Sequence, residues 1–164
     1  MAMEPRISVV TLGVGDLDRA VAFYEAMGLE RHRKFTEGVA FFQMGGLILA
    51  LWPREELARD AGKGYWGFAS AAEIEVAEPG RTVVGEARPD FSGVALAYNT
   101  RTEQEVGEIL DKAEKAGGRV LKQAGRALWG GMQGYFEDTE GNLWEVAHNR
   151  DFPIDAEGRI SLPE

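Results

Sequence analysis

The chain has 164 residues, 45% of them hydrophobic and 27% charged, a balance that fits one domain or two small modules around a shared core and excludes wholesale disorder. Its 27 acidic residues outnumber 18 basic ones, for a net charge of −9; that sign argues against nucleic acid and anionic membrane as partners and favours a cationic small molecule. Cysteine is absent, which removes disulfides, thiolate metal sites and cysteine nucleophiles and suits a reducing cytoplasm.

The first segment, Ile7 to Val14, is rich in β-branched residues and bounded by Pro5 and Gly15, which predicts a strand. Asp16 has the chemistry of a helix N-cap. Leu17, Ala20, Val21, Phe23, Tyr24 and Met27 then recur at helical spacing up to Gly28, which predicts an amphipathic helix. Three short strands follow at Glu30 to Phe35, Val39 to Met44 and Leu47 to Trp52, separated by Glu37-Gly38 and Gly45-Gly46. Pro53 opens a second helical stretch, Arg54 to Ala61, closed by Gly62. Residues 63–92 are rich in Gly, Ala and Pro and read as a connecting excursion, with two strands of a hairpin at Glu73 to Ala77 and Thr82 to Glu86.

The second half restarts the pattern. A strand is expected at Gly93 to Tyr98. Thr102 and Glu105 form a capping-box pattern ahead of a helix with Val106, Ile109, Leu110 and Ala113 on one face, ending at Gly117-Gly118. Further strands are expected at Arg119 to Gln123, Met132 to Glu137 and Leu143 to His148, with Asp138 to Gly141 as a turn. Both halves thus read β-α-β-β-β, an internal repeat. The expected class is α+β, two tandem βαβββ modules with a cleft between curved mixed sheets. The modules span residues 6–52 and 93–149, with a helix and excursion at 53–92 and a tail at 150–164. No apolar run nears the roughly 20 residues of a membrane span, and Met1 to Arg6 has no signal-peptide core. A cytoplasmic protein is the expectation.

The duplicated βαβββ, the opening Val10-Thr-Leu-Gly-Val-Gly-Asp-Leu-Asp-Arg-Ala-Val-Ala-Phe-Tyr24 and the closing Gly134-Tyr-Phe-Glu-Asp-Thr-Glu-Gly-Asn-Leu-Trp-Glu145 resemble the vicinal oxygen chelate superfamily. This is the group of glyoxalases, extradiol dioxygenases, fosfomycin-resistance transferases and bleomycin-binding resistance proteins. The resemblance implies a divalent metal held by a His or Gln early in the first strand of a module and a Glu in its last strand. Carried onto this chain, those positions are Val9, Ala50, Gly93 and Glu145. Only Glu145 can ligate, and one carboxylate does not hold a divalent ion. The histidines, His32 and His148, do not repair the set, because His148 lies three residues after Glu145 and so faces the other way. No metal cofactor is expected. The resemblance also implies a homodimer, in keeping with the frequency of two-fold assemblies.

Strand alternation maps the cleft. If positions 9, 50, 93 and 145 face inward, so do Thr11, Gly13, Ile48, Trp52, Ala95, Ala97, Asn99, Leu143 and Ala147. Val10, Leu12, Val14, Leu47, Leu49, Leu51, Val94, Leu96, Tyr98, Trp144 and Val146 then pack beneath the helices. The inward side chains are mostly small, and the volume they leave is rimmed by Trp52, Trp129 and Tyr135 or Phe42. Asn99 offers a donor and an acceptor to a polar ligand group. Glu145 is the candidate carboxylate for a cationic ligand, or a general base; alternatively it bonds backbone, Gln133 or Arg126. The expected ligand-binding set is Thr11, Phe42, Trp52, Asn99, Trp129, Tyr135 and Glu145. Two functions follow: a metal-independent protein that holds a small hydrophobic or cationic molecule in an aromatic-walled cleft, similar to the bleomycin-type resistance members in sequestering a ligand, or a lyase or isomerase with Glu145 as base or as part of an atypical metal site.

Overall fold

The β-branched stretch after Ser8 extends as β1, Val9–Val14, in a computed structural model that describes residues 6–34, 37–62 and 92–162. Asp16 then turns the chain into α1, Leu17–Ala26, by accepting the Arg19 N–H at 3.0 Å. Gly28, at φ +98°, ends it, a conformation that costs glycine no steric strain. Strands β2, Ala40–Met44, and β3, Leu47–Pro53, form a hairpin across Gly45 and Gly46 and lead into α2, Arg54–Asp60. The strand expected at Glu30 to Phe35 is reduced to a single bridge between Arg31 and Phe42. Arg31, His32, Arg33 and Lys34 give that segment no alternating apolar side chains with which to bind to the sheet. The hairpin expected near residues 73–86 lies outside the described residues.

The second half runs β4, Leu96–Asn99; α3, Glu103–Lys115; β5, Arg119–Arg126; β6, Met132–Glu137; and β7, Leu143–His148. The capping box is present in both directions. The Glu105 N–H donates to Thr102 Oγ1 at 3.3 Å, and the Thr102 N–H donates to Glu105 Oε2 at 3.4 Å. β4 starts three residues later than expected, since Gly93 sits at φ +84° and cannot be extended strand. β5 runs on to Arg126, with register shifts on either side of Lys122.

The strands form two sheets, ordered β1-β3-β2 and β4-β7-β6-β5. In each, the strand before the helix pairs in parallel with the last strand of its half: Thr11 with Ala50, and Ala97 with Glu145. The core is one cluster drawn from both halves. Leu12, Val14, Leu49 and Leu51 of the first sheet meet Phe136, Trp144 and Val146 of the second, with Phe23 and Tyr24 of α1 and Val106 and Leu110 of α3. Phe136 and Trp144 lie with parallel rings 6.1 Å apart. The core faces thus fall on the expected parity, which leaves the opposite face of each sheet to carry the candidate residues. Val94 and Tyr98 depart from the expected core: Val94 precedes β4, Tyr98 sits on a strand that ends its sheet among the described residues, and both stay exposed. No helix among the described residues is long and apolar enough to cross a membrane.

Candidate functional site

On the first sheet, the registers Val9–Ile48–Gln43 and Thr11–Ala50–Phe41 set one face. The small side chains of Thr11 and Ala50 form the floor of a depression of about 410 Å³. Phe41, Trp52, Val39, Gly38, Glu37 and Glu56 complete its lining. Trp52 donates its indole N–H to Glu56 Oε2 at 3.1 Å, so the first turn of α2 holds the ring at the rim. Thr11 and Trp52 of the predicted set therefore meet here.

Phe42 does not join them. It is 0% exposed and packs in the core against Tyr24, with ring centroids 5.8 Å apart. The β2–β3 register pairs Phe41 with Ala50 and Phe42 with Leu49, so the aromatic wall is Phe41. Two adjacent phenylalanines leave the parity open in the sequence; only the register decides it.

On the second sheet, the row Ala97–Glu145–Tyr135–Lys122 crosses all four strands, and Asn99–Ala147–Gln133–Gly125 runs beside it. The Tyr135 hydroxyl donates to Glu145 Oε1 at 3.2 Å. Glu145 thus binds neither Gln133 nor Arg126, the partners named as alternatives. Arg126 instead pairs with Glu103, 2.8 Å away, and that pair holds the Glu103 carboxyl below its usual range, chiefly through the hydrogen bond. Partial burial, then the negative charge of Glu145 and its hydrogen bond, push the Tyr135 hydroxyl above its ordinary value, so it is a neutral donor near pH 7. The Lys122 ammonium lies 5.8 Å from the Tyr135 ring centroid.

Trp129 reaches the same face. Its indole N–H donates to Gln133 Oε1 at 3.2 Å. The ring folds back over Gly131, where a Cβ would come within 1.7 Å of Trp129 Cζ3. Asn99, Trp129, Tyr135 and Glu145 therefore share one face of the second sheet, and Thr11 and Trp52 share one face of the first. His148 points elsewhere, with Nδ1 3.2 Å from the Thr100 carbonyl.

A family-type metal does not fit the described residues. Positions 9, 50 and 93 hold Val, Ala and Gly, which supply no side-chain donor. Glu145 is already engaged by Tyr135. No group of three or more His, Asp or Glu that could hold a metal ion occurs among the described residues.

Two sheets, each with a parallel first-to-last strand pairing beside a helix, define a duplicated fold of the vicinal oxygen chelate type, in which the second half is βαβββ and the first half, among the described residues, has two strands after α1 in place of three. The profile of the Glyoxalase/Bleomycin resistance protein/Dioxygenase superfamily matches residues 6–146, and the chain belongs to that superfamily. A glyoxalase-related enzyme from Fulvimarina pelagi is 31% identical with a TM-score of 0.77, over 98% of this chain and 100% of that one. A lactoylglutathione lyase from Agrobacterium tumefaciens, 24% identical over 89% of this chain and 95% of that one (TM-score 0.58), has a similar fold. So does a glyoxalase/bleomycin resistance protein/dioxygenase from Nocardioides, 23% identical over 90% and 85% (TM-score 0.60). No curated protein matches the chain.

Proposed function

We propose that the chain is a small-molecule-binding member of the superfamily that holds its ligand without a metal ion. The depression of about 410 Å³ on the first sheet carries this reading, with its floor of Thr11 and Ala50 and its aromatic walls Phe41 and Trp52. Ligand pockets typically run from about 300 to 1,000 Å³ and combine apolar walls with a few placed polar groups. Thr11, Glu37 and Glu56 are the polar side chains of its lining; Asn99, Tyr135 and Glu145 lie outside that lining, on a face of the second sheet. The donor set argues the metal-free half of the reading, since Val9, Ala50 and Gly93 stand where the family places ligands.

A homodimer and a cytoplasmic setting belong to the same reading. Ile7 and Val9 lie just before and at the start of β1, and Val94 and Tyr98 just before and within β4; all four are exposed, and both strands end their sheets among the described residues. A second copy covering them would bury apolar surface and strand edges that no described strand pairs.

The Tyr135–Glu145 pair favours a second reading, an enzyme of the lyase or isomerase class in which Glu145 takes a proton. One experiment addresses both readings: native mass spectrometry of protein purified without chelator, followed by binding and turnover of any molecule it releases. The expected result is a two-chain particle carrying an organic molecule and no stoichiometric metal. Tight stoichiometric zinc, nickel or manganese with a gain of turnover overturns the first reading. A Glu145→Gln variant that still binds the released molecule but turns it over about 100-fold more slowly establishes the second.

A further inference from the structure

We infer that the depression on the first sheet selects a small organic cation with a flat apolar body, an inference that rests on the binding reading above. Its described lining holds two carboxylates, Glu37 and Glu56, and no lysine, arginine or histidine. Phe41 and Trp52 lie among the same lining residues, and aromatic faces attract cations through the ring quadrupole. The Trp52–Glu56 hydrogen bond couples these two features: the same contact that fixes the indole keeps a carboxylate at its edge. A cation seated between them meets a ring and a negative charge together.

The competing charges fare worse. An anion entering the depression meets two carboxylates with no described cation lining it. A neutral molecule gains the apolar contact with Phe41 and Trp52 but nothing from Glu37 and Glu56. The net charge of −9 adds a long-range field of the same sign. The floor sets the shape: Ala50 and Thr11 are short side chains side by side across the β1–β3 pair, so a flat body can lie against them.

Three probes of matched shape test this: benzyltrimethylammonium, its neutral isostere neopentylbenzene, and phenylmethanesulfonate. Titrations are followed by NMR at the Thr11 and Ala50 amides and the Trp52 indole, with the full-length protein. The cation is expected to shift these signals, the neutral isostere to bind more weakly, and the sulfonate not to compete. Replacing both Glu37 and Glu56 with Gln weakens the cation about three- to tenfold and leaves the neutral probe unchanged. Both glutamates are exposed, so the double variant keeps its fold. Glu108→Gln removes one charge from the exposed face of α3 and leaves the cation affinity unchanged. Equal binding of the cation and its neutral isostere overturns charge selection while the binding reading stands. Loss of cation affinity in Glu108→Gln equal to that per glutamate in the double variant assigns the effect to global charge and overturns the site. No shift at these three residues with any probe at millimolar concentration also overturns it. The molecule released in native mass spectrometry then decides the binding reading separately.

Discussion

The Tyr24 hydroxyl donates to Asp138 Oδ2 at 2.7 Å and accepts from the Trp144 indole N–H at 3.1 Å, all three groups being buried. Asp138 is 4% exposed and also accepts from the backbone N–H groups of Glu140 and Asn142 and from Asn142 Nδ2. Four donors on one carboxylate offset much of the cost of burying it. Burial, and then the charge of Asp138, push the Tyr24 hydroxyl far above the ordinary phenol range. The consequence for stability has a definite sign. A tyrosine free in the unfolded chain loses its proton near pH 10, while the native one keeps it. The stability tied to this proton is fully present below about pH 10 and declines above it, by at most about 1.4 kcal/mol per pH unit. Tyr24→Phe removes that slope. It also lowers stability at neutral pH by about 1–2 kcal/mol, because Trp144 loses its acceptor. Urea unfolding between pH 7 and pH 11 measures both effects; an alkaline slope equal to that of the wild type sinks the assignment. In the sequence, Asp138 is legible only as a turn residue. Its partner lies 114 residues earlier on α1, and no local pattern links the two.

Elements whose cause is local were legible in the sequence. The Asp16 cap, the Thr102–Glu105 box and the bounds of β6 and β7 rest on neighbouring residues, and the strict period of two placed Thr11, Trp52 and Glu145 on the faces where they occur. What depended on pairing was not legible: the choice between Phe41 and Phe42, the single bridge at Arg31, and the extension of β5 past its register shifts. Gly134 shows a packing requirement that the closing motif carried without explaining. It lies on the core side of β6 beneath α3, where an added Cβ would stand 2.5 Å from Leu110 Cδ1 and 2.8 Å from the Lys122 carbonyl oxygen. Leu110 can shift within its rotamer, but the backbone oxygen cannot without disturbing the β5–β6 ladder. Gly134→Ala is therefore expected to cost about 1–3 kcal/mol, read as a lower urea midpoint with an unchanged m value. Adding Leu110→Ala recovers only the side-chain part of that strain, so the coupling energy in the double-mutant cycle is smaller than the single cost of Gly134→Ala. A Gly134→Ala protein as stable as the wild type refutes this account of the close approach.

The whole molecule is held together by more than its shared core. The turn between β6 and β7 projects Glu140 onto the first half, where its side chain is 3% exposed. Its carboxylate accepts the Gly15 N–H at 2.7 Å, Arg19 Nε at 3.0 Å and Arg19 Nη2 at 2.6 Å. It thus supplies an acceptor and a negative charge just ahead of α1, where the helix dipole favours both. The Glu140 carbonyl oxygen accepts Arg54 Nη2 at 3.3 Å, and Arg54 also donates to the Gly13 carbonyl at 3.2 Å. One turn of the second half therefore joins the end of β1, the start of α1 and the start of α2. Composition makes such a turn look like solvated surface, because nothing in Asp-Thr-Glu-Gly reports which distant backbone it meets. Glu140→Ala removes charge-assisted hydrogen bonds worth about 2–3 kcal/mol together. Arg19 is 56% exposed, so it regains water and keeps the loss from growing larger. The effect should also be uneven. In hydrogen exchange, amides of β1 and α1 should lose protection before those of β6 and β7, whose ladder the substitution leaves in place. Uniform loss across both halves means that the core alone couples them. Unchanged stability means that the Glu140 contacts contribute nothing beyond what water supplies.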